Sequence, residues 1–151
     1  MKLDILAFGA HPDDVEISCG ATLLKYAKEG KSIGIIDLTE GELGTRGSSE
    51  KRYEEANKAA EILGLKIRQN LNMGDGVIAQ SEENKLKIIE CIRKYQPELI
   101  LANSVHDRHP DHAKGAKLVA EASFLSGLRK IETKSDGLPQ QAYRPKMLLH
   151  Y

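Results

Sequence analysis

Residues 3–9, Leu-Asp-Ile-Leu-Ala-Phe-Gly, are apolar almost without interruption. That is the pattern of a strand covered on both faces, as in parallel sheets. Ser32–Leu38 repeats it, Lys66–Leu71 is a weaker third case, and Glu98–Asn103 is a fourth. Between the strands the apolar spacing changes to that of helices. Ile17, Leu23, Leu24 and Ala27 predict a helix over about Val15–Glu29, stopped by Gly30. Tyr53, Ala56, Ala59, Ala60 and Leu63 predict another over Glu50–Leu63, stopped by Gly64. Ser81 caps a third that runs to about Tyr95, ahead of Pro97. A fourth begins at Asp111 or His112 and ends near Leu128.

The remaining stretches carry no periodic apolar face. Thr39–Ser49 holds three glycines and reads as a long loop, Asn72–Gly76 as a turn, and Thr133–Tyr143 as a polar loop. Pro145–Tyr151 reads as the opening of a further strand with no turn or polar tail after it. The expectation is a single domain over residues 1–151, truncated at its C-terminal end. Strands alternating with helices at this spacing predict an α/β fold. It is a Rossmann-like doubly wound, mainly parallel sheet with helices on both faces. Ligands in such sheets bind beyond the carboxyl ends of the strands. The stretches after strands one, two, three and four all fall on that rim.

Composition removes several classes. The 151 residues are 40% hydrophobic and carry 22 basic and 22 acidic side chains, so formal net charge is zero. No charge block points to nucleic acid or an anionic membrane. No apolar run reaches the roughly 20 residues of a membrane span. The N-terminus enters a strand almost at once and lacks the pattern of a signal peptide, so a cytoplasmic location is expected. Cys19 and Cys91 lie on separate predicted helices and form no C-x-x-C pair. They read as two buried thiols, with Cys19 close enough to the first strand end to line a site there.

Two of the rim stretches share a motif. Ala10-His11-Pro12-Asp13-Asp14 follows strand one, and Arg108-His109-Pro110-Asp111-His112 follows strand four. A single Asp before a helix is usually a cap, and a single His at a strand end is usually structural. Two His-Pro-Asp turns at equivalent strand ends instead read as halves of one metal site. A catalytic zinc ion takes three protein ligands and keeps one position open. His11, Asp14 and His112 supply that set, which iron or manganese would also accept. Asp13 points elsewhere and is free to act as general base. His109 is placed to stabilise an oxyanion. Asp111 would orient one of the imidazoles, and Arg108 would anchor an anionic or polyol substrate. His106, beside Asp107, matches no ligand spacing. A GxGxxG fingerprint is missing after strand one, where carboxylates stand in place of a pyrophosphate site, so nicotinamide and flavin cofactors are not expected. Ser18, Ser48 and Ser104 sit in no nucleophile elbow.

These residues resemble the PIG-L/LmbE-like zinc-dependent N-deacetylases. Ala10–Asp14 is similar to that family's first motif and His109–His112 to its second. Thr39–Gly47 resembles its glycine-rich loop. Arg52-x-x-Glu55 with Ala59 and Leu63-Gly64 resembles its arginine-bearing helix. Asp107–His112 and Tyr143–Tyr151 look most like the bacillithiol-biosynthesis branch. The resemblance implies removal of acetate from N-acetylglucosaminyl-malate, one Zn2+ per chain (with Fe2+ an alternative), and a homo-oligomer, trimeric or hexameric. It implies the same metal ligands, base and electrostatic partner as above. It also makes Arg52 and Asp75 sugar contacts, where unaided reading takes them as a solvated helix charge and a turn residue. Alternatives within the same chemistry are a deacetylase of diacetylchitobiose or another aminosugar, and a bacillithiol S-conjugate amidase. Outside it stands a metal-stabilised sugar-binding module.

Overall fold

The computed structural model describes residues 1–45 and 47–151; Arg46, within the expected loop, lies outside the described residues. Five strands form one parallel sheet: β1 (Ile5–Gly9), β2 (Ile33–Asp37), β3 (Ile67–Asn70), β4 (Leu99–Ala102) and β7 (Met147–His150), in the spatial order β3-β2-β1-β4-β7. The helices are α1 (Asp14–Lys28), α2 (Ser49–Leu63), α3 (Glu82–Tyr95) and α4 (Pro110–Leu125). The order reverses beside β1, so the doubly wound α/β architecture read from the sequence is the one observed. β1 pairs with β2 and with β4, and the ends of β1 and β4 are neighbours, with Phe8 opposite Ala102. That pairing brings the two His-Pro-Asp turns side by side.

The central strand is buried on both faces because its side chains alternate between two cores. Leu6 and Phe8 face Ile88, Ile92, Leu118 and Val119 of α3 and α4. Ile5 and Ala7 face Val15, Leu23 and Leu63 of α1 and α2. Gly115 lets α4 come close to the end of β2: a Cβ there would stand 2.8 Å from Leu38 Cδ1. At the sheet edge a buried ion pair ties β3 to β2, with Arg68 Nε and Nη2 on the Asp37 carboxylate at 2.7 and 3.0 Å. Arg68 also donates to Glu16 of α1.

Several expectations need correction. Ile17 does not join the apolar face of α1 but is 79% exposed, because Val15, Gly20 and Leu23 form the buried stripe. Tyr53 is likewise exposed on α2. α4 stops at Leu125 rather than Leu128 because the chain turns to satisfy Arg93 at the end of α3. That guanidinium donates to the carbonyls of Ser126, Leu128 and Ile131 and to Thr133 Oγ1, at 2.7–3.0 Å. The stretch expected to be loop from Thr133 to Tyr143 contains a small hairpin, β5 (Lys134–Ser135) with β6 (Leu138–Pro139). Its turn residues Asp136 and Gly137 both have positive φ, the Asp-Gly signal of a tight hairpin turn. Cys91 is buried and its thiol is pushed up to about 12 by burial. Cys19 is half-buried beside the α1 core, its thiol pushed up to about 11 by burial and then by Glu16.

Candidate metal centre

The first turn is held by the backbone around it. Ala10 N–H donates to Asn103 Oδ1 at 2.9 Å, and Asn103 Nδ2 donates to Asp14 Oδ2 at 3.1 Å. His11 N–H donates to the same Asp14 oxygen at 3.0 Å. Asp13 takes up the bend with φ 142 and ψ −24, a region that costs a non-glycine residue about 1–3 kcal/mol. The consequence is a division of directions. Asp14 turns inward at the start of α1, while Asp13 turns out toward Arg52, whose Nη1 lies 3.8 Å from Asp13 Oδ2.

The second turn is a helix start. His109 caps α4, its Nδ1 accepting from Asp111 N–H at 3.3 Å, and Pro110 occupies the first helical turn, where its missing N–H is no loss. His112 then faces back to the first turn. Its Nε2 lies 3.3 Å from Asp14 Oδ1, and the other Asp14 oxygen lies 3.6 Å from His11 Nδ1. One carboxylate therefore stands between two imidazole nitrogens. The three imidazoles of His11, His109 and His112 form a triangle with ring centroids 4.7–5.4 Å apart.

The outer nitrogen of each inward-facing imidazole is also engaged. His11 Nε2 lies 3.0 Å from Asp75 Oδ1, and His112 Nδ1 lies 3.1 Å from Asp107 Oδ2. An imidazole whose far nitrogen rests on a carboxylate keeps its near nitrogen fixed and basic, which is how protein imidazoles hold metal ions. Two such imidazoles and one carboxylate give an N2O donor set suited to a divalent transition metal with an open position. The residues present thus fit an ion held by His11, Asp14 and His112. Among the described residues, the sets whose ligating atoms all lie within 4.8 Å of one another are instead His11, His109 and His112, and His11, Asp75 and Asp111; the expected set is joined through Asp14 alone.

Electrostatics follow the geometry. Burial disfavours the charged Asp14 carboxylate, but the hydrogen bonds from His11, the charge of His112 and the Asn103 amide outweigh it and hold the group below its ordinary value. Burial also disfavours an imidazolium at His11, yet Asp14 and Asp75 together raise it to about 9. Asp13 moves the other way. Burial and then the Asp14 charge push it up, and Arg52 only partly opposes them.

Beside these groups lies a cleft of about 290 Å3, lined by His11, Asp13, Gly44, Arg52, Asp75 and His109 among others. Arg52 lies across the glycine-rich loop: a Cβ on Gly44 would stand 2.6 Å from its Nη2. Asp75, expected at sugar hydroxyls, is buried, and both its oxygens are taken within the protein, by His11 Nε2 and by Leu43 N–H at 2.9 Å. Asp111 is fully buried and lies 3.5 Å from His11 Nε2, so the imidazole it adjoins belongs to the opposite turn. Arg108 is exposed, as is His106, whose N–H meets Ser104 Oγ at 3.3 Å. Two contributors escaped the sequence reading. Asn103 ties both halves together from the end of β4, and Asp107 orients His112. Asp107 stands one residue before the motif and accepts from His109 N–H at 2.8 Å, the Asx-turn habit of an Asp two residues ahead of a turn.

Residues 6–123 match the family described as PIG-L, GlcNAc-PI de-N-acetylase. The chain belongs to this family. A diacetylchitobiose deacetylase from Thermococcus kodakarensis is 32% identical over 134 residues, covering 82% of this chain and 50% of that one. The crystal structure of the conserved protein TT1542 from Thermus thermophilus superposes with a TM-score of 0.89 at 40% identity, over 97% of this chain and 64% of that one. A 4-oxalmesaconate hydratase from Pseudomonas putida is 27% identical over 159 residues, covering 93% of this chain and 60% of that one. The chain spans about half to three fifths of the length of these curated relatives. No helix among the described residues is long and apolar enough to cross a membrane.

Proposed function

We propose that this protein is a zinc-dependent N-deacetylase that removes acetate from an N-acetylglucosamine-type sugar, with N-acetylglucosaminyl-malate as the substrate and Fe2+ as an alternative ion. The observation that carries the proposal is the Asp14 carboxylate set between His11 Nδ1 and His112 Nε2, each imidazole backed by a second carboxylate. Membership of the PIG-L family and the deacetylase relatives support it. The bacillithiol-pathway substrate and the homo-oligomer rest on the sequence resemblance.

A divalent ion held by His11, Asp14 and His112 would polarise the amide carbonyl and make water more acidic. Asp13 lines the same cleft as His11. It takes a proton from the attacking water as that oxygen bonds to the carbonyl carbon. Its raised pKa lets it hold that proton and pass it to the nitrogen as the C–N bond breaks, giving acetate and a free amine. His109 accepts from Asp111 N–H through Nδ1, which leaves Nε2 as the position that carries the proton and can donate to the carbonyl oxygen as it gains charge. Arg52 lies beside Asp13 at the mouth of the cleft, where its guanidinium can donate to sugar hydroxyls.

The test is metal analysis coupled to an acetate-release assay on N-acetylglucosaminyl-malate, N-acetylglucosamine and diacetylchitobiose. The proposal expects one ion per chain and fastest release from the malate conjugate. Faster release from diacetylchitobiose would move the substrate and keep the chemistry. A metal-loaded protein that releases acetate from none of them, but binds them by calorimetry, would replace the enzyme with a sugar-binding module.

A further inference from the structure

Asp75 does two things that neither a turn residue nor a sugar contact would do. Its Oδ1 rests on His11 Nε2 at 3.0 Å, and its Oδ2 accepts from Leu43 N–H at 2.9 Å. In return its own N–H donates to Glu42 Oε1 at 2.7 Å. The residue is therefore tied reciprocally to the glycine-rich loop after β2 on one side and to a metal-ligand imidazole on the other. Gly74 and Gly76, both with positive φ, bend the chain so that the Asp75 side chain points into the sheet end rather than out to solvent. Behind it, Gly76 N–H donates to Asp111 Oδ2 at 2.6 Å. Asp111 Oδ1 is buried with no hydrogen-bond partner among the described residues. The Asp75 carboxylate thus stands in a place where the surrounding backbone fixes its position before anything binds.

We infer that Asp75 is a positioning residue for the metal centre, which fixes the His11 ring with Nδ1 toward Asp14 and couples that ring to the order of the glycine-rich loop. The inference rests on the metal-site reading above. It differs from a sugar contact in which step it serves: Asp75 acts on metal affinity and loop order, not on substrate affinity. Losing Asp75 would loosen the ion and free the Leu43 amide that its Oδ2 accepts from.

The test compares Asp75→Asn, Asp75→Ala and His112→Ala with the wild-type protein, by Zn2+ competition titration, metal counting and amide hydrogen exchange. A partner on the far nitrogen of a ligand imidazole typically contributes 10- to 100-fold in metal affinity. Asp75→Ala is expected to weaken Zn2+ by about that factor and to speed exchange at the Leu43 amide. Asp75→Asn keeps an acceptor and should recover part of both. KM for the acetylated sugar in zinc-saturated Asp75→Asn should stay within about twofold of wild type. A KM increase of tenfold or more with wild-type zinc affinity would overturn the inference in favour of a sugar contact. Two ions per chain, with one lost in Asp75→Asn, would also overturn it, since Asp75 would then be a ligand. Nitrogen-15 NMR of His11 in the folded wild-type protein supplies a measurement free of folding artefacts: a proton on Nδ1 rather than Nε2 in the zinc-loaded state sinks the assignment. His112→Ala separates the two levels. If it binds zinc as wild type does, the metal centre itself is misassigned; if it loses zinc while both Asp75 variants keep it, only the role of Asp75 fails.

Discussion

The two His-Pro-Asp turns have the same three letters and different environments: His11 is the more buried of the two imidazoles, whereas Asp111 is the more buried of the two aspartates. The first lies at the end of the central strand, with the His11 and Asp14 side chains each 11% exposed and nearly every polar atom engaged. It carries a non-glycine residue at φ 142. The second lies at the rim. His109 is exposed, its backbone φ of −84 is ordinary, and the motif does the everyday work of starting a helix with a cap and a proline. The motif therefore does not set the role; the neighbours do. In the first turn the strain at Asp13 separates two adjacent carboxylates, so that Asp14 is held ionised between two imidazoles and Asp13 is pushed toward protonation at the cleft. In the second turn no such separation is needed, because three helical residues already place His109 and His112 on one side.

That contrast is broken most severely at Asp13. Asp13→Asn should keep its metal and lower acetate release by about 10²–10⁴-fold, the usual contribution of a positioned general base. Metal content by plasma emission and acetate by coupled assay check both halves, and normal turnover in this variant would remove the assigned mechanism. His109→Gln should follow with a loss of about 10²–10³-fold, as for a removed oxyanion donor, again with metal retained. A loss of metal in His109→Gln would mean that the rim turn contributes a ligand, and the division between the turns would fall.

The pH dependence of the metal-free protein sharpens the comparison further. Despite burial, Asp14 and Asp75 raise His11 to about 9. The ordinary imidazole value, and so the unfolded one, is about 6.5. The folded state therefore binds the proton more tightly, and this contribution is complete below about pH 6.5 and disappears as pH rises through about 9. Chelated protein is expected to lose stability over that interval in denaturant titrations. Zinc-loaded protein should lose less, because the ion takes the proton's place on Nδ1. Asp75→Asn, which removes one of the two carboxylate charges beside His11, should flatten that dependence.

The sheet and most helix limits were legible because the signals are local: buried strands read as unbroken apolar runs, Gly30 and Gly64 end helices with a positive φ, and the Ser81 hydroxyl caps the start of α3. The adjacency of the two turns was legible too, since a doubly wound sheet brings strand ends to one rim. The misses come from interactions between distant residues. α4 ends early because Arg93, some thirty residues away, needs its carbonyls. Ile17 is exposed because which face of α1 meets the sheet is set by the crossover and not by the helix alone. At the site, Asp75 read as a turn residue from its flanking glycines, and as a sugar contact by resemblance. Its contact with His11 joins residues 64 positions apart and forms only after β3 pairs with β2. Asn103 was missed for the same reason: its role depends on β4 lying beside β1.

The smallest effect tests the strain itself. At φ 142 a glycine sits without the Cβ clash that Asp13 suffers. Asp13→Gly should therefore relieve about 1–3 kcal/mol of backbone strain. The greater freedom of glycine in the unfolded chain takes back about 0.5–1 kcal/mol. The loss of the exposed contact with Arg52 is worth little. The net expectation is a variant more stable than wild type by about 1 kcal/mol and inactive, measured by urea denaturation beside the acetate assay. His109→Ala, which removes a cap from an unstrained turn, should instead lose about 0.5–2 kcal/mol. If both substitutions destabilise by similar amounts, the first turn is no more strained than the second, and the separation of Asp13 from Asp14 must come from side-chain contacts alone. If only Asp13→Gly stabilises, the stored strain belongs to the turn that moves the proton, where a conformation unfavourable to folding is kept because it holds two neighbouring carboxylates apart.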